Sequence, residues 1–334
     1  VKTLILVLLG ALAAIHQLEA ADQKGPVKAP AAKQGAKPAA NDPIEKEYQK
    51  LLADDDAAQA EVDKWITDNQ KFAEQGAGIT QATLRLRILQ RFESVQKGYE
   101  EFLKRNPKHV HARVAYGAFL GDIGKEDEAM EQWEKARELD PSDPATWNNL
   151  ANYYGHNGPV TNAFAYYAKA IELNPKEPVY FQNFATTVYL FRMDATNFFH
   201  IDEQKVFDKA LDLYRQAFKL DPTNFPLATD LAQSYYGIKP TRFEDAMAAW
   251  TEAEKIANDD IERQGVFIHY ARLQINAGRF EEAQKNLDKI TEPLHEVLKN
   301  RLLRKLAEER KKAEADKPPV KSDGAKGEAD SEKK

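Results

Sequence analysis

Apolar residues recur at helical spacing along most of this chain. Ile44, Tyr48 and Leu51 lie three and four residues apart, and Val62, Trp65, Ile66 and Phe72 continue such a face further on. This periodicity predicts a helix from Pro43 through Leu52 and a second over about 56–74, with Gly76 and Gly78 as the break. Residues 43–75 thus read as N-terminal helices ahead of a longer helical body, and the chain as all-α.

From there the pattern repeats. Pro107, Pro141 and Pro175 fall 34 residues apart, each preceded by Asn or Asp. In the same frame Ala129 coincides with Ala163, Trp133 with Tyr167, Ala136 with Ala170 and Leu139 with Leu173. The unit at 144–177 reads Trp147, Leu150, Ala151, Tyr154, then Ala163, Tyr167, Ala170 and Pro175. The physical reading is a pair of antiparallel helices. Small residues (Gly117, Ala151, Ala129, Ala163) let backbones approach, and bulky ones (Trp133, Tyr154, Tyr167) fill the space toward the next unit. The proline ends the second helix. One such hairpin cannot bury both of its faces, so hairpins must stack.

This pattern resembles the tetratricopeptide repeat family. The resemblance implies an α-solenoid, a right-handed superhelix of helix-turn-helix repeats over 76–293, with five units and one degenerate one. A third unit, Pro178–Asn224, carries about 13 extra residues near Arg192 to Lys205. A fourth, Phe225–Asp260, has two extra residues near Pro240 and Asn258 in place of the closing proline. A fifth starts near Gln264. Upstream, Phe92, Val95, Tyr99 and Phe102 mark the second helix of an earlier unit, whose first helix, 80–89, is degenerate. Residues 294–315 read as a charged capping helix.

The two ends differ from this body. Lys2, an apolar run from Leu4 to Ile15 and a small-residue exit predict a signal peptide over 1–20, with cleavage after Ala20. The run is shorter than the roughly 20 residues that span a bilayer; an uncleaved anchor is the alternative, and the one route to a membrane. Residues 21–42 read as a disordered Ala/Pro/Lys linker and 316–334 as a disordered charged tail. The expected setting is therefore exported, periplasmic or secreted, in a bacterial envelope.

Composition removes several function classes. The chain has no cysteine, so disulfides, thiolate metal sites, thiol nucleophiles and lipid-modified cysteine anchors are all excluded. Charged residues make up 30% of it at a net charge of -6, a balance that gives no global electrostatic reason to bind nucleic acid, which wants a basic stripe. His109 and His111 lie close together, but no third ligand is signposted, and a surface pair at a repeat junction is the simpler reading. Asp54, Asp55 and Asp56 lack calcium-loop spacing and read as a solvated turn and helix start. No phosphate loop, nucleophile elbow or zinc-protease helix occurs. The expectation is no catalytic residue, no cofactor, no metal and no enzyme; an unrecognised active site is the remote alternative.

In the resembled family the first helix of each unit lines the concave groove that holds extended peptides or helices. By position, that implies Asn148, Asn149, Asn152, Gln182, Asn183, Tyr189, Asp230, Gln233, Tyr236 and Arg272 as a peptide-binding set. An Asn carboxamide donates and accepts at once, which suits a peptide backbone of any sequence. Clamping a terminal carboxylate is disfavoured, since the corresponding places hold Val114, Ala118 and Val179. Each hydrogen bond nets about 0.5 to 1.5 kcal/mol against the roughly 8 that micromolar binding needs, so Tyr189 or Tyr236 must add apolar area. The bland alternative is that the amides cap helices and bind water. Phe198 and Phe199, in the insertion, are expected to pack on the neighbouring helix or to form a groove wall. Together these readings describe an adaptor or scaffold holding a protein or peptide partner. The alternative is an assembly component that self-associates through outer faces and terminal helices.

Overall fold

The structure, a computed structural model, describes residues 42–315; the signal, linker and tail expectations over 1–41 and 316–334 fall outside them. The described residues form fourteen α-helices and two short 3-10 turns. The fold is all-α, of the α-solenoid class. Two compact units divide the chain, one ending at Pro222 and the other beginning at Thr223.

The first unit opens with α1 (Pro43–Glu74) and α2 (Gln81–Arg105), which pair as one long hairpin. Asp42 caps α1, its carboxylate accepting from the Ile44 N–H at 2.9 Å. Where two helices were expected, α1 runs unbroken through Asp54–Asp56. Those acids are not a solvated turn: the Asp55 carboxylate is buried and accepts from the Tyr99 hydroxyl at 2.8 Å, while Asp54 pairs with Arg91 at 2.8 Å. Asn69 fastens the turn after α1, accepting from the Ile79 N–H at 2.8 Å.

The degenerate helix expected over 80–89 is likewise the start of a continuous α2. Leu84, Ile88, Phe92, Val95, Tyr99 and Phe102 make one buried stripe at intervals of three and four, with no breaker between them. Gly98 interrupts only the side chains, admitting Leu51 to 2.9 Å of where its Cβ would be.

Three shorter hairpins follow: α3 (Val110–Asp122) with α4 (Glu126–Leu139), α5 (Pro144–Asn157) with α6 (Val160–Leu173), and α7 (Pro178–Leu190) with α9 (Glu203–Leu220). The short α8 (Arg192–Phe199) is inserted in the last. Each hairpin's second helix packs on the first helix of the next, and first helices also touch in succession. The recurrent prolines act as expected. Asn106, Asp140 and Asn174, just before them, are the residues that leave the helix, because a following proline disfavours helical backbone.

Trp133 fills its own hairpin, lying on Gly117, where a Cβ would come within 2.4 Å of its Nε1. Its indole N–H donates to the Val114 carbonyl at 3.2 Å. Tyr167 reaches forward, its ring stacked 5.6 Å from Phe184 of the following hairpin.

The second unit holds α10 (Phe225–Ser234) with α11 (Phe243–Lys255), then α12 (Asp260–Asn276) with α13 (Phe280–Asp288), and ends in α14 (Glu296–Ala315). The extra residues near Pro240 follow a 3-10 turn at Tyr235–Gly237 and bury Ile238. At the position without a proline, Asp259 caps α12 through the Glu262 N–H at 2.8 Å, and the Glu262 carboxylate accepts from the Asn258 N–H at 2.7 Å. This reciprocal pair does the work of a stop and a start together. Leu302 and Leu306 seat α14 on α12 and α13.

Candidate functional site

The expected groove residues fall in both units. In the first, α5 and α7 bring carboxamides together side by side. Asn148 is wholly buried, and its oxygen accepts from the Asn183 amide at 3.2 Å; its own amide faces the Asn149 oxygen at 3.4 Å. Asn183 and Gln182 are also buried. Asn149 and Asn152 stay half-exposed, and Asn152 accepts from the Tyr167 hydroxyl at 2.6 Å. These bonds leave the amide groups of Asn149 and Asn152 and the carboxamide oxygen of Asn183 with no protein partner among the described residues. Two donor groups and one acceptor on neighbouring first helices match the alternating carbonyls and N–H groups of an extended peptide. Tyr189, further along α7, is half-exposed, its ring 5.8 Å from Phe207.

The second unit places Asp230 and Gln233 half-buried on α10, and brings Tyr236 and Arg272 into contact. The Arg272 guanidinium lies 4.6 Å over the Tyr236 ring. Beneath them is a residue the sequence did not signal. His269 stacks on Trp250 with ring centroids 3.9 Å apart, and its Nδ1 hydrogen-bonds the Tyr236 hydroxyl at 2.8 Å. Burial, reinforced by the Arg272 charge, pushes the His269 imidazole down to about 3. An imidazole so weakly basic is a poor general base near neutrality. The Trp250 indole N–H is buried beside the Tyr236 hydroxyl without reaching hydrogen-bond geometry. A lone histidine in an amphipathic helix looks the same in sequence whether it meets solvent or an indole face, so only packing reveals it.

The insertion packs. Phe198 and Phe199 stand 5.3 and 5.5 Å from Phe164 on α6, and the Lys209 ammonium lies 4.6 Å over Phe199. His109 is corrected from a surface residue to a helix cap. Its Nδ1 accepts from the Ala112 N–H at 3.0 Å while its ring packs on Tyr48 and Phe102. Among the described residues no three His, Cys, Asp or Glu side chains cluster as a metal site. No described helix is long and apolar enough to cross a membrane.

These stacked hairpins, with small residues at their crossings and prolines at their ends, define a helical repeat protein. Residues 144–177, the pair α5 and α6, match the family described as the tetratricopeptide repeat. That match agrees, for this one unit, with the resemblance read from the spacing of its alanines and prolines. No curated protein matches it. Among solved structures it is similar to pilF of Pseudomonas aeruginosa, at 14% identity over 78% of this chain and 100% of that one, with a TM-score of 0.47. It is also similar to PilW, a widely conserved type IV pilus biogenesis factor, at 15% identity over 63% of this chain and 89% of that one, with a TM-score of 0.48. YrrB, a TPR protein with an unusual peptide-binding site, shares 15% identity over 62% and 97% of the two chains, with a TM-score of 0.46.

Proposed function

We propose that this chain is a non-enzymatic adaptor that holds an extended segment of another protein against the first helices of its central hairpins. The observation that carries this reading is the set of unpartnered groups on α5 and α7: the Asn149 and Asn152 amides and the Asn183 oxygen. The buried link from Asn148 to Asn183 serves a different end, fixing the spacing of the two helices so that the outer amides sit at a constant interval. The sequence-derived set is thereby sorted into supports (Asn148, Gln182) and gripping groups (Asn149, Asn152, Asn183), with Tyr189 supplying apolar area. Tyr236 and Arg272, with Asp230 and Gln233 on α10, offer a second gripping surface on their own unit.

The test is capture of partners from an envelope extract by the immobilised chain and by an Asn149→Ala/Asn152→Ala variant. Because Asn152 also accepts from the buried Tyr167 hydroxyl and Asn149 faces the buried Asn148 amide, the variant's helical circular dichroism is compared with wild type first. With the fold intact, a loss of most captured protein is expected, and undiminished capture removes the groove assignment. An envelope setting belongs to the same proposal and rests on the apolar run at 4–15. Fractionation of cells expressing the tagged chain tests that part, and recovery from the cytoplasm alone rejects it.

A further inference from the structure

The last helix leaves an apolar face uncovered. Leu302 and Leu306 turn toward α12 and α13, whereas Val297 is 78% exposed, Leu294 71% and Leu298 47%. Ile261 is also exposed. It is held at the same edge of the unit, because the His295 ring hydrogen-bonds the Ile261 carbonyl at 2.7 Å. Scattered exposed leucines need no explanation, but three large aliphatic groups together at the start of α14 mark a contact surface.

The charges on either side of this patch say what covers it. Glu292 precedes it, and Arg304 lies two helical turns beyond Val297 on the same outward stripe. Neither side chain has an ion-pair partner among the described residues, although Arg263, Arg279 and Arg310 of this unit are each paired. A second copy of α14, laid antiparallel and crossing at Val297 and Leu298, would put apolar on apolar at the centre. It would also bring Arg304 of each copy level with Glu292 of the other. Such self-complementarity is what a two-fold interface demands.

We propose that the chain forms a two-fold homodimer through this face of α14, with Leu294, Val297 and Leu298 at its centre and reciprocal Glu292–Arg304 pairs at its ends. The proposal is independent of the groove on α5 and α7. Asn149→Ala/Asn152→Ala leaves self-association unchanged, so the two readings fail separately.

Sedimentation velocity on the full chain across a concentration series is the test. A concentration-dependent dimer is expected for the wild type and a monomer for Val297→Lys, whose helical circular dichroism stays native because the side chain it replaces is in solvent. Glu292→Arg and Arg304→Glu each weaken the dimer by roughly tenfold, and the double exchange restores it. A wild-type chain that is monomeric throughout overturns the proposal and leaves the face to a different protein. So does a dimer indifferent to Val297→Lys, and single charge exchanges without effect overturn the antiparallel arrangement.

Discussion

His269 lies flat on Trp250, the ring planes 10° from parallel and the centroids 3.9 Å apart, in a site whose burial disfavours the protonated imidazole. In the unfolded chain this histidine titrates near its ordinary value of 6.5, and in the folded chain near 3. A folded-state value below the unfolded one means that the unfolded chain takes up the proton first as pH falls. The stabilisation is therefore complete above about pH 6.5 and is lost progressively below it, by about 2 kcal/mol at pH 5. Burial also lowers His109, which acts with the same sign on the other unit. Urea unfolding of wild type and His269→Phe at pH 7.5 and pH 5 isolates the His269 part. The variant is expected to lose much of the wild type's pH dependence, and identical slopes would refute the assignment.

Gly117 is required by Trp133. A methyl group there would meet the indole at 2.4 to 2.8 Å, too close for a ring that cannot fold away, and would displace the indole N–H from the Val114 carbonyl. Alanine gains roughly 1 kcal/mol of helix propensity over glycine, whereas overpacking costs about 1 to 3 and a lost hydrogen bond about 1 more. The steric side wins. Gly117→Ala should lower stability by about 1 to 2 kcal/mol and shift the Trp133 emission. Gly121, whose Cβ would meet nothing nearer than 3.7 Å, is the control, and its alanine variant should be neutral or stabilising.

The bond between Tyr99 and Asp55 joins α2 to the middle of α1 in an otherwise apolar core. Removing either partner strands a buried polar group, at about 1 to 3 kcal/mol. Tyr99→Phe and Asp55→Ala should each destabilise by that order, and their double variant by less than the sum, giving a coupling near 1 kcal/mol or more. Additive losses would show that the bond contributes nothing.

That contact also shows where sequence reading stops. The hairpins were legible because Ala151, Ala163 and Pro175 repeat a local geometric requirement at a fixed interval: close crossing, close crossing, stop. Asp54–Asp56 misled because three acids in a row look solvated when judged by their neighbours, and Asp55's partner lies 44 residues away. The break expected near Leu89 came from carrying the 34-residue frame past the point where the pattern supports it, although nothing in α2 interrupts a helix. Of the expected groove set, Asn148, Asn152 and Asn183 lie on neighbouring helices. Which of them turns inward depends on rotation about each helix axis, a tertiary quantity that composition does not carry.

The insertion yields the last prediction, because packing and binding separate there. Phe199 is half-buried between Phe164, Phe184 and Lys209, whereas Phe198 is 39% exposed and meets Phe164 with one side of its ring. If both rings serve only to shield α6, the cost of truncation should follow burial: about 2 kcal/mol for Phe199→Ala and under about 1 for Phe198→Ala. Partner capture should then be unchanged in either variant once each is folded. Denaturant midpoints and the envelope-extract capture assay, run on the same two proteins, check both halves. Equal and negligible losses of stability accompanied by loss of capture would move Phe198 and Phe199 from the core of the hairpin to the wall of the groove.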